Sequence, residues 1–101
     1  MGRISKIKKV TFTATVWRWP GIGAWHFVTI EPTLAKKIKE SAQTYGAGFV
    51  KVIAKTGKAQ WQTALFPQKK LQTYLLSVKK SVRKLEGIQV GEKITITCTL
   101  V

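Results

Sequence analysis

Two stretches near opposite ends of the chain alternate with a period of two. Residues 10–17 set Val10, Phe12, Ala14 and Val16 against Thr11, Thr13, Thr15 and Trp17. Residues 94–101 set Ile94, Ile96, Cys98 and Leu100 against Thr95, Thr97 and Thr99. A period of two belongs to a strand with one buried face, because successive side chains of a pleated chain point to opposite sides. A chain bounded by two such strands folds around a sheet.

Further strands fill the interval. After Trp19-Pro20-Gly21-Ile22-Gly23, whose proline and glycines suit a turn, residues 24–30 form a second strand, the hairpin partner of the first. Residues 49–55 form a third, with Val50, Val52 and Ala54 opposed to Lys51 and Lys55. Thr56-Gly57 makes a tight hairpin turn, and residues 59–66 a fourth strand around Trp61. Residues 67–70 read as a polar loop. A first helix covers residues 34–44, with Thr33 able to cap it. Leu34, Ile38 and Ala42 give it one apolar stripe, and Tyr45-Gly46-Ala47-Gly48 ends it.

Residues 74–96 read as strand, short helix, glycine stop, turn and strand. Tyr74, Leu76 and Val78 share a face. Ser77 or Lys79 starts the helix, Val82 with Leu85 gives its apolar edge, and Gly87 takes the left-handed cap position. Gly91 allows the turn before Ile94. Laid side by side, residues 10–55 and 58–101 follow the same ββαβ order, and Phe27-Val-Thr-Ile aligns with Leu75-Leu-Ser-Val at an offset of 48 (27 to 75). The expected fold is therefore mainly β: a closed six-stranded barrel of two pseudo-repeated ββαβ halves, capped by two short helices. Closure removes the free edges that short strands otherwise leave. Residues 1–9 are a basic arm and residues 10–101 a single barrel domain. Because the two halves complete the barrel, a monomer is expected.

The 101 residues carry 18 Lys and Arg against four acids, a net charge of +14, with no Asp. Such an excess concerns partners rather than fold, and polyanions are the natural ones. No apolar run approaches the ~20 residues that span a bilayer, and no apolar stretch follows the basic start as in a signal peptide. A cytoplasmic protein without a membrane partner is expected.

Two family resemblances meet in the second half. Val82-Arg83-Lys84-Leu85-Glu86-Gly87-Ile88-Gln89-Val90-Gly91-Glu92 resembles the Ile-Arg-x-x-Leu-Gly-Ile-x-x-Gly-Asp signature of AbrB/MazE-type swapped-hairpin proteins, many of which bind DNA. It departs at Glu86, where that family has Leu, and at Glu92, where it has Asp. The longer resemblance runs from Phe12 to Leu100 and is to the domain of unknown function nineteen-oh-five family. It is carried by Gly23-Ala-Trp-His-Phe-Val28 with Pro32, by Trp61-Gln-Thr-Ala-Leu-Phe-Pro67, and by Val78-Lys-Lys-Ser-Val-Arg83 leading to Gly91-Glu92. That resemblance implies a double-split β-barrel and no particular activity.

Catalytic constellations are scarce. Glu31, Glu40, Glu86 and Glu92 are the only carboxylates and form no convincing acid–base pair. A dyad of His26 and Cys98, the single histidine and the single thiol, would need Cys98 to leave the core face its alternation assigns. Too few donors exist for a structural zinc site, and Gly21-Ile22-Gly23 has neither P-loop nor dinucleotide spacing. No enzyme, metal or cofactor is expected.

Binding is the better expectation. Arg3, Lys6, Lys8 and Lys9 of the arm, Lys69 and Lys70, and Lys79, Lys80, Arg83 and Lys84 of the second helix could form a phosphate-binding face for nucleic acid. Lysine predominates, so little base readout is expected. Trp17, Trp19, Trp25 and Trp61 are candidates for stacking or for a pocket; core packing is the expectation for Trp25 and Trp61, exposure for Trp17 and Trp19. The alternative is a small-molecule-binding or scaffold barrel with no nucleic-acid role, its lysines spread evenly.

Overall fold

A computed structural model of the chain describes residues 7–21, 23 and 25–101. Its elements are β1 (Lys9–Thr15), β2 (Trp17–Arg18), β3 (His26–Thr29), α1 (Pro32–Ser41), β4 (Val50–Thr56), β5 (Ala59–Gln68), β6 (Thr73–Ser77), α2 (Lys80–Glu86) and β7 (Lys93–Leu100). The strands form one antiparallel sheet in the order β1-β7-β4-β5-β6-β3-β2. β1 and β2 stand at opposite ends of that order, yet only Val16 separates them. The sheet must therefore curl until its two edges meet along one bent segment.

Seven strands replace the six expected, because the long first strand breaks at Val16. The Val16 N–H donates to Glu92 O at 2.9 Å, and the Gly91 N–H donates to Val16 O at 2.8 Å. Those bonds tie Val16 to the turn before β7. Upstream, β1 pairs with β7; downstream, only Trp17 and Arg18 pair with β3. The first hairpin is thus two residue pairs long. Ala24, expected to open the second strand, lies outside the described residues. β1 and β3 form no ladder, and a cleft of about 610 Å³ opens beside them, lined in part by Phe12, Ala14, Thr29 and Leu34.

The pairing is that of two like halves. With β1 and β2 taken as one bent strand, each half runs ββαβ. Within the halves the β2–β3 ladder corresponds to β5–β6; between them β1–β7 corresponds to β5–β4, and β3–β6 and β4–β7 also join the halves. Exchanging the halves maps this pattern onto itself.

The core lies on the concave face. Val28, Leu76, Leu65 and Val50 stand in register across four neighbouring strands, and each is at most 1% exposed. A second row runs Trp61, Ala54, Cys98, Val10, all buried. The indole N–H of Trp61 has no acceptor among the described residues. Ala35 and Ile38 of α1 and Val82 of α2 close the layer.

Local differences from expectation have local causes. α1 begins at Pro32, whose fixed φ suits the first helical position. Its cap is Glu31, which makes no side-chain cap bond, so Thr33 is inside the helix. The helix stops at Ser41, where Ala42 turns extended. β5 continues through Pro67 to Gln68 instead of looping out. Its pairing with β4 ends at Leu65, and a proline is tolerated where a strand is paired on one side. In α2 the inward edge is Val82 with Glu86, one turn apart, because Glu86 Oε2 accepts the Lys58 N–H at 3.0 Å. Leu85 therefore faces solvent, 67% exposed, instead of packing with Val82. Gly87 takes the left-handed cap at φ 64°, as the glycine stop requires.

Burial pushes the Cys98 thiol up from 9.0 to about 12. The unfolded chain loses this proton near 9 while the folded chain keeps it. Stability is unaffected below that pH and falls as pH rises towards 12. Urea unfolding at about pH 8 and about pH 10.5 is expected to register a loss of about 1.4 kcal/mol per pH unit from this group above 9. Burial of Tyr74 acts in the same direction above its ordinary 10.0. Cys98→Val should flatten the alkaline slope; an unchanged slope would assign it to other groups.

Candidate functional site

Residues directly opposed in an antiparallel pair project to the same face. The register Trp17–Phe27–Ser77 and the register Thr29–Leu75–Phe66 therefore lie on one face, since Phe27 and Thr29 are two apart on β3. That face is convex, opposite the Val28–Leu76–Leu65–Val50 row, and its β2-β3-β6-β5 portion is aromatic.

Ring centroids step from Tyr45 to Phe49 (5.9 Å), to Phe66 (5.4 Å), to Phe27 (6.3 Å) and to Trp25 (6.3 Å, planes within 10°). Trp17 and Trp19 branch from Phe27 at 5.3 and 6.1 Å and lie 6.0 Å apart. Phe27 is the buried hub. Trp25 is 57% exposed, Trp19 and Tyr45 44% and Phe66 36%. The Trp17 indole N–H donates to Thr29 Oγ1 at 2.9 Å, which holds that ring against the sheet. Leu75 is buried beneath this layer, so β6 is covered on both faces. The neighbouring β1–β7 portion is polar: hydroxyls of Thr11 and Thr97, and of Thr13 and Thr95, meet at 2.9 Å.

The tryptophan expectations divide. Trp19 is exposed and Trp17 half-buried, while Trp61 is core at 5% exposure. Trp25 reverses its expectation. Its ring stacks on Phe27, yet 57% of the residue is exposed. The register that creates the strip is invisible in sequence order: its seven rings come from the segments 17–19, 25–27, 45–49 and 66. A period-two reading of each strand does name the outward ring, but not which strands stand side by side.

Cations bracket the strip. Lys51 Nζ lies 5.3 Å from the Tyr45 centroid at one end, within cation–π range. At the other end Trp25 shares a cleft of about 260 Å³ with Lys79, Lys80 and Arg83. Arg83 also donates through Nε to Val78 O at 3.0 Å and has Nη1 3.4 Å from His26 Nε2. The fold thus brings three residues of the expected phosphate face to a tryptophan. Lys84 lies further along α2. Lys69 and Lys70 lie in the β5–β6 turn, at the opposite end of β6 from α2. Lys8 and Lys9 lie where β1 begins, beside Leu100 and Thr99. Arg3 and Lys6 lie outside the described residues.

Two of the four carboxylates and the single thiol are engaged structurally. Glu86 accepts from Lys58, and Glu92 Oε1 accepts the Gln89 N–H at 3.0 Å. Cys98 is buried between Val10 and Ala54, and its raised pKa disfavours the thiolate a nucleophile needs. Among the described residues no group of three His, Cys, Asp or Glu could hold a metal, and no helix is long and apolar enough to cross a membrane. A stripe of half-exposed rings with cations at its ends is suited to planar, negatively charged partners.

No curated protein matches the chain. Residues 12–98 match the family described as domain of unknown function (DUF1905). That span holds every strand and helix except the first residues of β1 and the last of β7. The stretches from Gly23 to Val28 and from Trp61 to Pro67, on which the resemblance rested, supply Trp25, Phe27 and Phe66 to the strip and Trp61 to the core. The chain belongs to the DUF1905 family.

Proposed function

We propose that this protein is a non-enzymatic module that binds single-stranded nucleic acid, acting as a cytoplasmic monomer. Its finer architecture on this reading is a closed six-stranded double-split barrel, with β1 and β2 as one bent strand completing the ring. Lys79, Lys80, Arg83 and Lys51 hold phosphates, and bases stack on the aromatic strip. The observation that carries the reading is the row of rings stepping 5.4–6.3 Å around the buried Phe27, with Trp25, Trp19, Tyr45 and Phe66 exposed and cations at its ends. Stacking on rings is sequence-tolerant, since every base has a π-face. It also requires bases free of a duplex, which turns the general expectation of phosphate binding towards single strands. The net charge of +14 supplies long-range attraction.

The test is a titration of labelled oligothymidylate and of a duplex of equal length across salt concentrations. The single strand is expected to bind more tightly. Its log K should fall by ~0.7 for each phosphate neutralised per unit of log salt. Absence of binding to either at low salt would overturn the proposal. Equal affinity for the duplex would remove the stacking and leave phosphate contacts alone.

A further inference from the structure

A second site lies around the corner from the strip, on a separate observation. A cleft of about 790 Å³ opens between α1, the loop that follows it and the β5–β6 turn. That is within the usual range for small-molecule sites. Lys36 and Lys39 reach it from α1 and Lys69 from the turn. No carboxylate lines it; Glu31 lies on the neighbouring 610 Å³ cleft instead. Pro32, Ala47 and Pro67 give it an apolar wall.

The turn that carries Lys69 is strained. Gln72, which also lines the cleft, is the one non-glycine among the described residues with positive φ, at 54°. A glutamine in the left-handed region costs of order 1 kcal/mol or more and persists only where its surroundings hold it. Here the Gln72 N–H donates to Lys69 O, and the Leu71 N–H to Gln68 O, each at 3.2 Å. The next residue, Thr73, is anchored through its hydroxyl to Ile30 O. The turn is therefore preformed, with an ammonium group and a carboxamide at the rim of a cleft whose other charged side chains are both cationic.

We propose that this cleft binds a small phosphorylated molecule. The phosphoryl oxygens meet Lys36, Lys39 and Lys69, and Gln72 adds a carboxamide donor. The uncharged part of the ligand lies on the proline wall.

The isotope-labelled full chain should be titrated with pyrophosphate, ADP and adenosine at about physiological salt, following backbone amides by NMR. Pyrophosphate and ADP are expected to give saturable shifts at Lys36, Lys39, Lys69 and Gln72, and adenosine none. Lys36→Gln/Lys39→Gln is expected to weaken ADP about tenfold or more, as loss of charged hydrogen bonds does. The same variant should keep oligothymidylate affinity, and Lys79→Gln/Lys80→Gln should keep ADP affinity. The spectrum of each variant reports its folding directly. The proposal is overturned if neither phosphate probe saturates, if adenosine gives the same shifts, or if the shifts gather around Trp25 and follow Lys79 and Lys80. Failure of oligonucleotide binding with the ADP shifts intact would sink only the single-strand reading.

Discussion

Replacing Trp19 and Trp25 together by alanine is expected to weaken oligothymidylate binding by about a hundredfold. Each base stacked on an aromatic ring contributes ~1–3 kcal/mol, so two rings at ~1.4 kcal/mol each reach two powers of ten. Trp25 stacks on Phe27 and is 57% exposed, and Trp19 is 44% exposed. Both rings also pack on the buried Phe27, so the urea midpoint should fall as well, and binding is compared well below the variant's midpoint. The salt slope should persist, because Lys79, Lys80 and Arg83 remain. This combination separates stacking from charge: affinity falls at every salt concentration by the same factor. Tryptophan fluorescence offers an internal check, since Trp61 is buried and should not be quenched by the oligonucleotide. An unchanged affinity in the double variant would show that the rings do not meet bases, whatever the charge does.

Leu76→Ala is expected to cost 2–5 kcal/mol, the usual range for emptying a fully buried leucine. Leu76 is wholly buried and stands between Val28 of one half and Leu65 of the other. Removing it leaves a void where the ββαβ halves join. Against a typical domain stability of ~5–15 kcal/mol, such a loss brings the chain near unfolding. Leu85→Ala is the matched control. The side chain is 67% exposed, and a change of within about 0.5 kcal/mol is expected. Urea denaturation of both variants measures the difference. Similar costs for the two would contradict the inward edge of α2 and the in-register core row.

Much of the fold was legible in short-range pattern. The alternations at 10–17 and 94–101 named the core residues of β1 and β7, because a one-residue slip would turn every one of them to solvent. Gly87 announced the end of α2, because a glycine pays no Cβ penalty in the left-handed region. The break at Val16 was not legible. Nothing in the residues 15–17 interrupts the alternation; the bend comes from bonds to Gly91 and Glu92, some 75 residues away in the chain (16 to 91).

The candidate site divides in the same way. Lys79, Lys80 and Arg83 could be placed together in advance, since they belong to one short helix. Their meeting with Trp25 could not, and neither could the exposure of Trp25. A lone strand specifies which side chains alternate outward; it does not specify its neighbours. Local spacing therefore carried the strands, the glycine stop and the cation count, all of which depend on residues within a few positions of one another. Strand order and curl, which depend on pairings between distant segments, decided that seven scattered rings form one surface and that three lysines from two segments share a cleft.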